Sequence, residues 1–434
     1  MRKKNVFHFL IPEKLKNKIA EIEKAPPDIP GFDLSILMEI IHLVCTKQRD
    51  DGYSRLKLEY LRRYSPYADH YIKFLLQQGI IERSKFFQRF NKCYGYKFTP
   101  EYQSLYKKQP LTNTRLQRKI ERISKVIGGG QNKLVRDFSI DPEALQYSES
   151  IYTDMNTLNY AIASIQKIQN NEKFAVTDTT SFRYHSNLTI LPRELRQFVS
   201  IYGKHLTANV DIKNSQPYFS TLLLTAPAKV ADMAKGIELR MMLKSLQVQQ
   251  NEDIKLYINL VCKGKFYEYL VKEFNNRGLN YDRDQVKKSV MQILFDANSH
   301  LSKERKIFAE LFPTVHSTFN VIRGNRKGDH FTSFKRFAIL LQTIEAYVVL
   351  KIILRRVNLE HPDVITFTVH DSLLTTSNPT VMQKVMTEEL KKFVGQSPII
   401  KIEKIAAKMF FNEFRINTVK ERKEEGSKGK GKKE

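Results

Sequence analysis

VDIKNSQPYFS, residues 210–220, and ITFTVHDSLLTT, residues 365–376, are the two stretches that decide the fold of this chain. Each contains a run rich in β-branched residues, which predicts a strand, and each run ends near an aspartate, Asp211 in the first stretch and Asp371 in the second. Two carboxylates brought together on adjacent strands form a site for paired divalent cations. A lone aspartate at a strand end is usually a turn cap, but that explanation has to hold twice here.

A third segment, RDQVKKSVMQILF at 283–295, lies between the two aspartates. Arg283, Lys287, Met291 and Phe295 recur every four residues, which places them on one slowly drifting stripe of a helix. The two basic residues, Arg283 and Lys287, suit the binding of a triphosphate, and the apolar and aromatic residues that follow suit contact with a base. The plain alternative for Lys287, a solvated lysine on a helix surface, is disfavoured because it shares a face with the apolar residues.

These segments, in this order, resemble the A, B and C motifs of the superfamily of family A DNA polymerases and single-subunit phage-type RNA polymerases. The family's middle motif reads Arg-x3-Lys-x3-apolar-x3-aromatic, and its last motif reads His-Asp in a strand-turn-strand hairpin. The resemblance implies the following roles: two Mg²⁺ ions held by Asp211 and Asp371, triphosphate binding by Arg283 and by a catalytic Lys287, base-pair binding by Met291 and Phe295, and contact with the primer's terminal phosphate by His370.

Two further stretches extend the resemblance over about residues 178–405. RYHSNLTILPRELR at 183–196 is similar to the family's run beside primer and template, and FAILLQTIEA at 337–346 is similar to the helix with a minor-groove glutamine. The resemblance implies nucleic-acid contacts by Arg183, Arg193, Arg196 and Gln342. A surface arginine or a buried glutamine is also an ordinary occurrence.

The sugar of the substrate is left open by Gln216, five residues after Asp211. Family A DNA polymerases usually have glutamate there, which blocks a ribose 2′-hydroxyl, and the phage-type RNA polymerases have glycine. Glutamine is bulky enough to obstruct a ribose, so DNA synthesis is slightly favoured. The alternatives are an RNA polymerase of the single-subunit type and a non-catalytic winged-helix replication initiator or regulator.

Composition agrees with a nucleic-acid partner. The chain has 434 residues, with 72 Lys and Arg against 46 Asp and Glu, and its formal net charge is +26. Such a charge favours a phosphate backbone as partner, although a merely basic globular protein would look the same. Three cysteines without metal-ligand spacing indicate a reducing, intracellular and cytoplasmic compartment. No stretch of about 18 uncharged apolar residues is present, so no membrane partner is expected.

The N-terminal part predicts a separate module. Residues 32–110 contain three helical patterns followed by a β-like stretch, the order of a winged helix, with Arg62, Arg63 and Lys73 as candidate phosphate contacts. A winged helix can equally bind proteins. Residues 1–31 are predicted to be a basic N-terminal segment, 111–177 a helical thumb or linker, 178–418 the palm and fingers, and 419–434 a disordered charged tail.

The expected fold class is therefore α+β: a right-hand polymerase, with an antiparallel-sheet palm and helical fingers and thumb, preceded by a small winged-helix domain. The expected activity is template-dependent nucleotidyl transfer by two Mg²⁺ ions. Its partners would be a DNA template–primer duplex and nucleoside triphosphates.

Overall fold

The computed structural model describes residues 6–49, 51–85, 93–296, 302–324 and 335–405. In these ranges the chain is a mixed α+β protein of many helices and small antiparallel sheets, as predicted. The chain divides into two compact units. Unit 1 comprises residues 1–175 and 186–205, and unit 2 comprises residues 176–185 and 206–434. The predicted charged tail, 419–434, lies outside the described residues.

Within segment 32–110, which the sequence predicts to be a winged helix, unit 1 has three helices followed by two strands, as predicted, and also a two-residue strand that was not predicted. These elements are α2 (Leu34–Thr46), β2 (Ser54–Arg55), α3 (Leu58–Leu61), α4 (Ala68–Gln77), β3 (Ile81–Arg83) and β4 (Gly95–Phe98). The three strands form one antiparallel sheet in the order β2-β4-β3. Asp33 begins α2, because its carboxylate accepts a hydrogen bond of 2.8 Å from the backbone N–H of Ser35. Residues 86–92, between β3 and β4, lie outside the described residues.

The N-terminal segment is part of the same core. β1 (His8–Pro12) pairs antiparallel with β5 (Tyr106–Pro110), and α1 (Lys16–Lys24) follows β1. Apolar side chains of these elements, such as Phe9 and Ile19, are buried with those of the winged-helix elements. Residues 8–24 therefore contribute strand and helix structure to unit 1.

The segment 111–177, predicted to be a thumb or linker, contains four α-helices and also strand residues, and its residues up to 175 belong to unit 1. Its helices are α5 (Thr114–Ile123), α6 (Gln131–Asp137), α7 (Glu143–Ile151) and α8 (Met155–Gln169). The remaining elements in this part of the chain are the strands β6 (Phe138–Ile140), β7 (Ala175–Thr177), β8 (Tyr184–Ser186), β9 (Val199–Ile201) and β10 (Lys204–His205), with helix α9 (Asn187–Ile190) and a 3₁₀ helix at Arg193–Phe198. β6, β9 and β10 form an antiparallel sheet.

Unit 2 is built around a four-stranded antiparallel sheet in the order β12-β13-β11-β14. The strands are β11 (Ala208–Ile212), β12 (Thr366–Val369), β13 (Ser372–Thr375) and β14 (Ile400–Lys404). The helices are α10 (Ser215–Thr225), α11 (Ile237–Ser245), α12 (Glu252–Cys262), α13 (Phe266–Asn276), α14 (Arg283–Phe295), α15 (Lys303–Leu311), α16 (Pro313–Arg323), α17 (Lys335–Tyr347), α18 (Leu354–Glu360) and α19 (Pro379–Val394). Sheet and helices share one apolar core.

One helical run in unit 2, Lys335–Glu360, is long and apolar enough to cross a membrane by length and composition. It consists of α17, a π-helical segment at Val348–Ile353 and α18. Its most apolar window is 61% buried inside the protein, and its side chains form part of the unit 2 core. In this structure the run therefore serves as a core helix.

A buried carboxyl allows a test of the packing in the unit 1 core. Glu39 on α2 is fully buried, and burial, reinforced by the charge of Glu172, raises its pKa well above the usual range. A carboxyl whose pKa is raised in the folded state destabilises the protein. This destabilisation is absent when the pH is below the pKa of the unfolded state, and it grows as the pH rises toward the pKa of the folded state.

We therefore expect Glu39→Met to raise the free energy of unfolding at neutral pH by about 1 to 3 kcal/mol, with a smaller gain at acidic pH. Urea denaturation at two pH values measures both quantities. Glu59→Met, at an exposed position of α3, is the control and should change stability little. A loss of stability in the Glu39 variant at neutral pH would contradict the prediction.

Candidate active site

The two predicted metal-binding aspartates lie beside each other on neighbouring strands of unit 2. β11 and β13 pair antiparallel, and in their register Asp211 is directly opposite Ser372, the residue that follows Asp371. Both aspartates are partly exposed. His370 has a φ of 55°, in the left-handed region, and this conformation forms the tight turn between β12 and β13. The predicted strand and hairpin are confirmed, and they bring Asp211 and Asp371 together.

A third carboxyl, which the sequence did not single out, lies beneath this pair. Glu345 on α17 is 1% exposed. It accepts hydrogen bonds from the guanidinium of Arg183 at 2.5 Å, from the hydroxyl of Ser215 at 2.8 Å and from the side-chain amide of Gln216. One carboxylate thus joins the segment 176–185, the start of α10 and the last turn of α17. A lone acid within the apolar run 337–346 was the signal that could have revealed it.

The electrostatics of the site oppose a fully ionised set of carboxyls. Burial raises the pKa of Asp371, while the charges of Arg183 and Lys287 and a hydrogen bond from Ser215 counter that rise. Burial and the nearby charge of Asp371 raise the pKa of Glu345 to about 7. Charge on one of these two close carboxyls disfavours charge on the other, and Arg183 compensates only part of that cost, because the pKa of Glu345 is raised in spite of it. A bound divalent cation would supply further compensation.

The predicted stripe lies on α14 as the four-residue spacing indicated. Arg283 and Lys287 are exposed, Met291 and Phe295 are partly buried, and residues such as Val290 on the other side of the helix are in the core. Lys287 is close enough to Asp371 to lower its pKa. The stripe therefore places the charge of Lys287 near Asp371.

Arg283 is held by two residues of α13 that the sequence did not single out. Its guanidinium donates to Glu268 at 3.3 Å and lies 5.3 Å from the ring centre of Tyr267. Glu268 also pairs with Lys213 at 3.6 Å, two residues after Asp211. Tyr267 is buried, and the charges of Arg283 and Asp371 both act on its hydroxyl, although burial is the main reason that its pKa is raised.

The C-terminal end of α14 is fixed by two buried arginines. Arg305 donates hydrogen bonds to backbone carbonyls in and just beyond the last turn of α14, including those of Gln292 and Ile293. Arg323 donates to the backbone carbonyls of Ile293 and Leu294 in the same turn. Cations are favourable at this end of a helix because the carbonyl groups there lack partners within the helix. Burial lowers the pKa of Arg323 to about 10.

His370 lies next to a second histidine. Its ring centre is 5.7 Å from that of His185, in an edge-to-face arrangement, and the Nε2 atom of His185 is 3.2 Å from a carboxylate oxygen of Asp178. Asp178 also accepts hydrogen bonds from backbone N–H groups of Thr180 and Ser181. The predicted phosphate contact is therefore part of an ordered cluster beside Asp371.

The donor set fits hard divalent cations. In the described residues, no three or more His, Cys, Asp or Glu side chains form a preformed metal group. Mg²⁺ is usually bound by one or two carboxylates, with water and substrate phosphate oxygens as the other ligands. Asp211 and Asp371, at neighbouring positions on paired strands, are carboxylates of the kind that such a site requires.

The other predicted contacts are distributed over both units. Gln342 is half-buried on α17 in unit 2, and Arg183 in the same unit is bound to Glu345. The predicted contacts in unit 1 are the exposed Arg62, Arg63, Lys73 and Arg193 and the half-buried Arg196. The structure thus brings Arg183 to the aspartate pair, and the roles of the others stay predictions.

Comparisons with known proteins add little. No protein-family model matches the chain, and no curated protein matches it. Among solved structures, a similar chain is the POL domain of Pol1 from M. smegmatis in complex with a DNA primer-template and dNTP. The two are 12% identical with a TM-score of 0.31, and the match covers 61% of this chain and 55% of that one.

The buried ion pair generates a stability prediction. Arg183→Met should lower the free energy of unfolding by about 3 to 5 kcal/mol near pH 8, because it leaves the buried carboxyl of Glu345 without its bonded cation. The double variant Arg183→Met/Glu345→Met should lose less than the sum of the two single variants. Urea denaturation of the three variants measures the coupling.

Arg355→Met, at an exposed position of α18, is the control for the loss of one arginine and should remain within about 0.5 kcal/mol of the parent protein. Additive effects of the two single substitutions would show that Glu345 does not depend on Arg183.

Proposed function

We propose that this protein is a nucleic-acid polymerase that extends a strand on a template by two-metal phosphoryl transfer. The observation that carries the proposal is the register of β11 with β13, which brings Asp211 next to the Asp371 turn. The exposed cations on α14 support it, because Lys287 acts electrostatically on Asp371. Phosphoryl transfer needs positioned charge more than covalent chemistry, and this site offers both signs of charge at close range.

Each side chain has a role in this proposal. Arg283 and Lys287 bind the triphosphate, and Lys287 also neutralises the leaving pyrophosphate. Met291 and Phe295, which are partly exposed further along α14, support the nascent base pair. His370 binds the primer's terminal phosphate beside the catalytic turn.

Asp211 and Asp371 would hold two Mg²⁺ ions, which when bound lower the charge barrier to attack on a phosphate and stabilise the leaving group. The contribution of the chain is to hold the two carboxylates on adjacent strands. Glu345 supports them indirectly, because it fixes Arg183 and the start of α10.

DNA is the proposed product. Gln216 is buried, and its amide is bound to Glu345, so its bulk is held in place. A fixed side chain at this position obstructs a ribose more effectively than a mobile one. An RNA polymerase of the single-subunit type is the alternative. Its site would accept ribonucleoside triphosphates in place of deoxyribonucleoside triphosphates.

A second candidate function is a winged-helix DNA-binding regulator without catalytic activity. The order α2-β2-α3-α4-β3-β4 in unit 1 favours DNA binding by this module. Primer extension with Mg²⁺, run separately with dNTPs and NTPs on one primed template, separates the three candidates. Extension with dNTPs supports the proposed function, extension with NTPs supports the alternative polymerase, and binding without extension supports the regulator.

The metal assignment leads to a direct prediction. Asp211→Asn and Asp371→Asn should each reduce nucleotide incorporation by at least about a thousandfold, because each carboxylate anchors the metal pair. Duplex affinity should stay nearly unchanged, since it comes mainly from basic residues. Single-turnover extension and a binding titration measure the two quantities.

Asp363→Asn, at an exposed position before β12, is the matched control and should extend normally. Normal extension by either the Asp211 or the Asp371 variant would remove the basis of the active-site assignment.

The sugar assignment leads to another prediction. Gln216→Gly should raise the kcat/KM ratio of ribonucleotide to deoxynucleotide by about one to two orders of magnitude, because removing the side chain relieves a clash worth roughly 1 to 3 kcal/mol. Steady-state incorporation of one NTP and its dNTP gives the ratio. An unchanged ratio, or a parent protein that already prefers NTPs, would show that Gln216 does not select the sugar.

A further inference from the structure

The exposed face of α5 in unit 1 carries a row of arginines that the sequence analysis did not assign. Arg115, Arg118 and Arg122 are all exposed and lie three and four residues apart. At 1.5 Å per residue their Cα atoms rise by about 4.5 and 6 Å along the axis, and they share one side of the helix. These three residues are called the α5 stripe.

The arginines of the α5 stripe have no ion-pair partner within the described residues. The buried residues of α5, Leu116 and Ile120, lie on the other side of the helix and pack into the unit 1 core. The stripe therefore presents three cations to solvent, none of them in an ion pair, with the exposed Glu121 as the one acidic residue of α5. Such a row is complementary to a ligand with regularly spaced negative charges.

The ordinary explanation for cations on a helix accounts for only one of these residues. Arg122 lies in the last turn, where a cation interacts favourably with the helix dipole. Arg115 is the second residue of α5, close to its positive end, where a cation is disfavoured. Local helix stability therefore does not explain the stripe as a whole.

The helix that carries the stripe is firmly attached to the winged-helix elements. Asn113 begins α5, because its side chain accepts a hydrogen bond of 3.0 Å from the backbone N–H of Leu116. Lys119 donates to the backbone carbonyl of Tyr64 at 2.8 Å, and Tyr64 directly follows the exposed Arg62 and Arg63. The stripe is thus a fixed surface next to two cations already predicted to contact phosphate.

Helix α4, in the predicted winged-helix segment, offers much less charge. Its exposed lysine, Lys73, lies 3.8 Å from Asp69 on the same helix. The single lysine of α4 thus has an acidic partner within ion-pair distance, whereas the three arginines of the α5 stripe have none within the described residues. A phosphate backbone finds more uncompensated charge on α5 than on α4.

We propose that the α5 stripe binds the phosphate backbone of double-stranded DNA and is a main electrostatic contact of unit 1. Arginine suits this partner because its planar fork donates two parallel hydrogen bonds to phosphate oxygens. The contact carries no base specificity. The proposal goes beyond strand extension and does not require it, since it concerns affinity alone.

The test is the salt dependence of duplex binding by the full-length protein. We expect the variant Arg115→Gln/Arg118→Gln/Arg122→Gln to reduce the slope of log K against log salt by about 3, one for each phosphate contact removed. Affinity at about 0.1 M salt should fall by up to about two orders of magnitude. Fluorescence anisotropy with a labelled duplex of arbitrary sequence measures both.

Two further variants make the result specific. Lys14→Gln/Lys16→Gln/Lys24→Gln removes the same charge from exposed positions at and beside α1 and should change the slope much less. Arg115→Lys/Arg118→Lys/Arg122→Lys keeps the charge and should retain most of the slope.

Equal slopes for the two glutamine variants would overturn the proposal, since any three cations would then contribute alike. Strand extension is measured separately on saturating primer-template. A protein that lacks extension but shows the expected slopes retains the α5 proposal and loses the polymerase one.

Discussion

The pairing of β11 with β13 is the constraint on which the rest of the candidate site depends. It places Asp211 opposite Ser372 and so beside the turn that carries His370 and Asp371. Because side chains alternate between the two faces of a sheet, a slip of one residue would move Asp211 to the other face. The buried residues of β11, such as Val210, fix the register by packing into the unit 2 core.

The strands bring carboxyl groups together, and the repulsion and desolvation of these groups must be offset by hydrogen bonds and charges around them. Glu345 is almost fully buried near Asp371, and it is stabilised by Arg183, Ser215 and Gln216. A buried ion pair adds little net stability, because desolvation of both charges offsets their attraction. Its structural effect is specificity: one carboxylate connects three segments that are distant in sequence, and it does so only when all three are correctly placed.

The sequence predicts those parts of the site that depend on local spacing. The α14 stripe follows from a four-residue repeat, and the β12–β13 hairpin follows from β-branched residues around His370-Asp371. Contacts between distant segments were not predicted, because no local pattern encodes them. In the sequence, Glu345 is a single acidic residue in an apolar helix, and its role becomes evident only from its partners in the structure. Similarly, β1 is recognisable as a strand only through its pairing with β5. β2 is two residues long, too short for any periodicity.

The position of α14 depends on charge at both of its ends. At its start, Arg283 is held by Glu268 and Tyr267 of α13, and at its end Arg305 and Arg323 bind the carbonyl groups of the last turn. The second anchor places cations in the core, which is favourable only while they remain bonded to the helix end. α14 therefore cannot shift along its axis without breaking buried hydrogen bonds to α15 and α16. A shift of α14 along its axis that keeps these hydrogen bonds must therefore carry α15 and α16 with it.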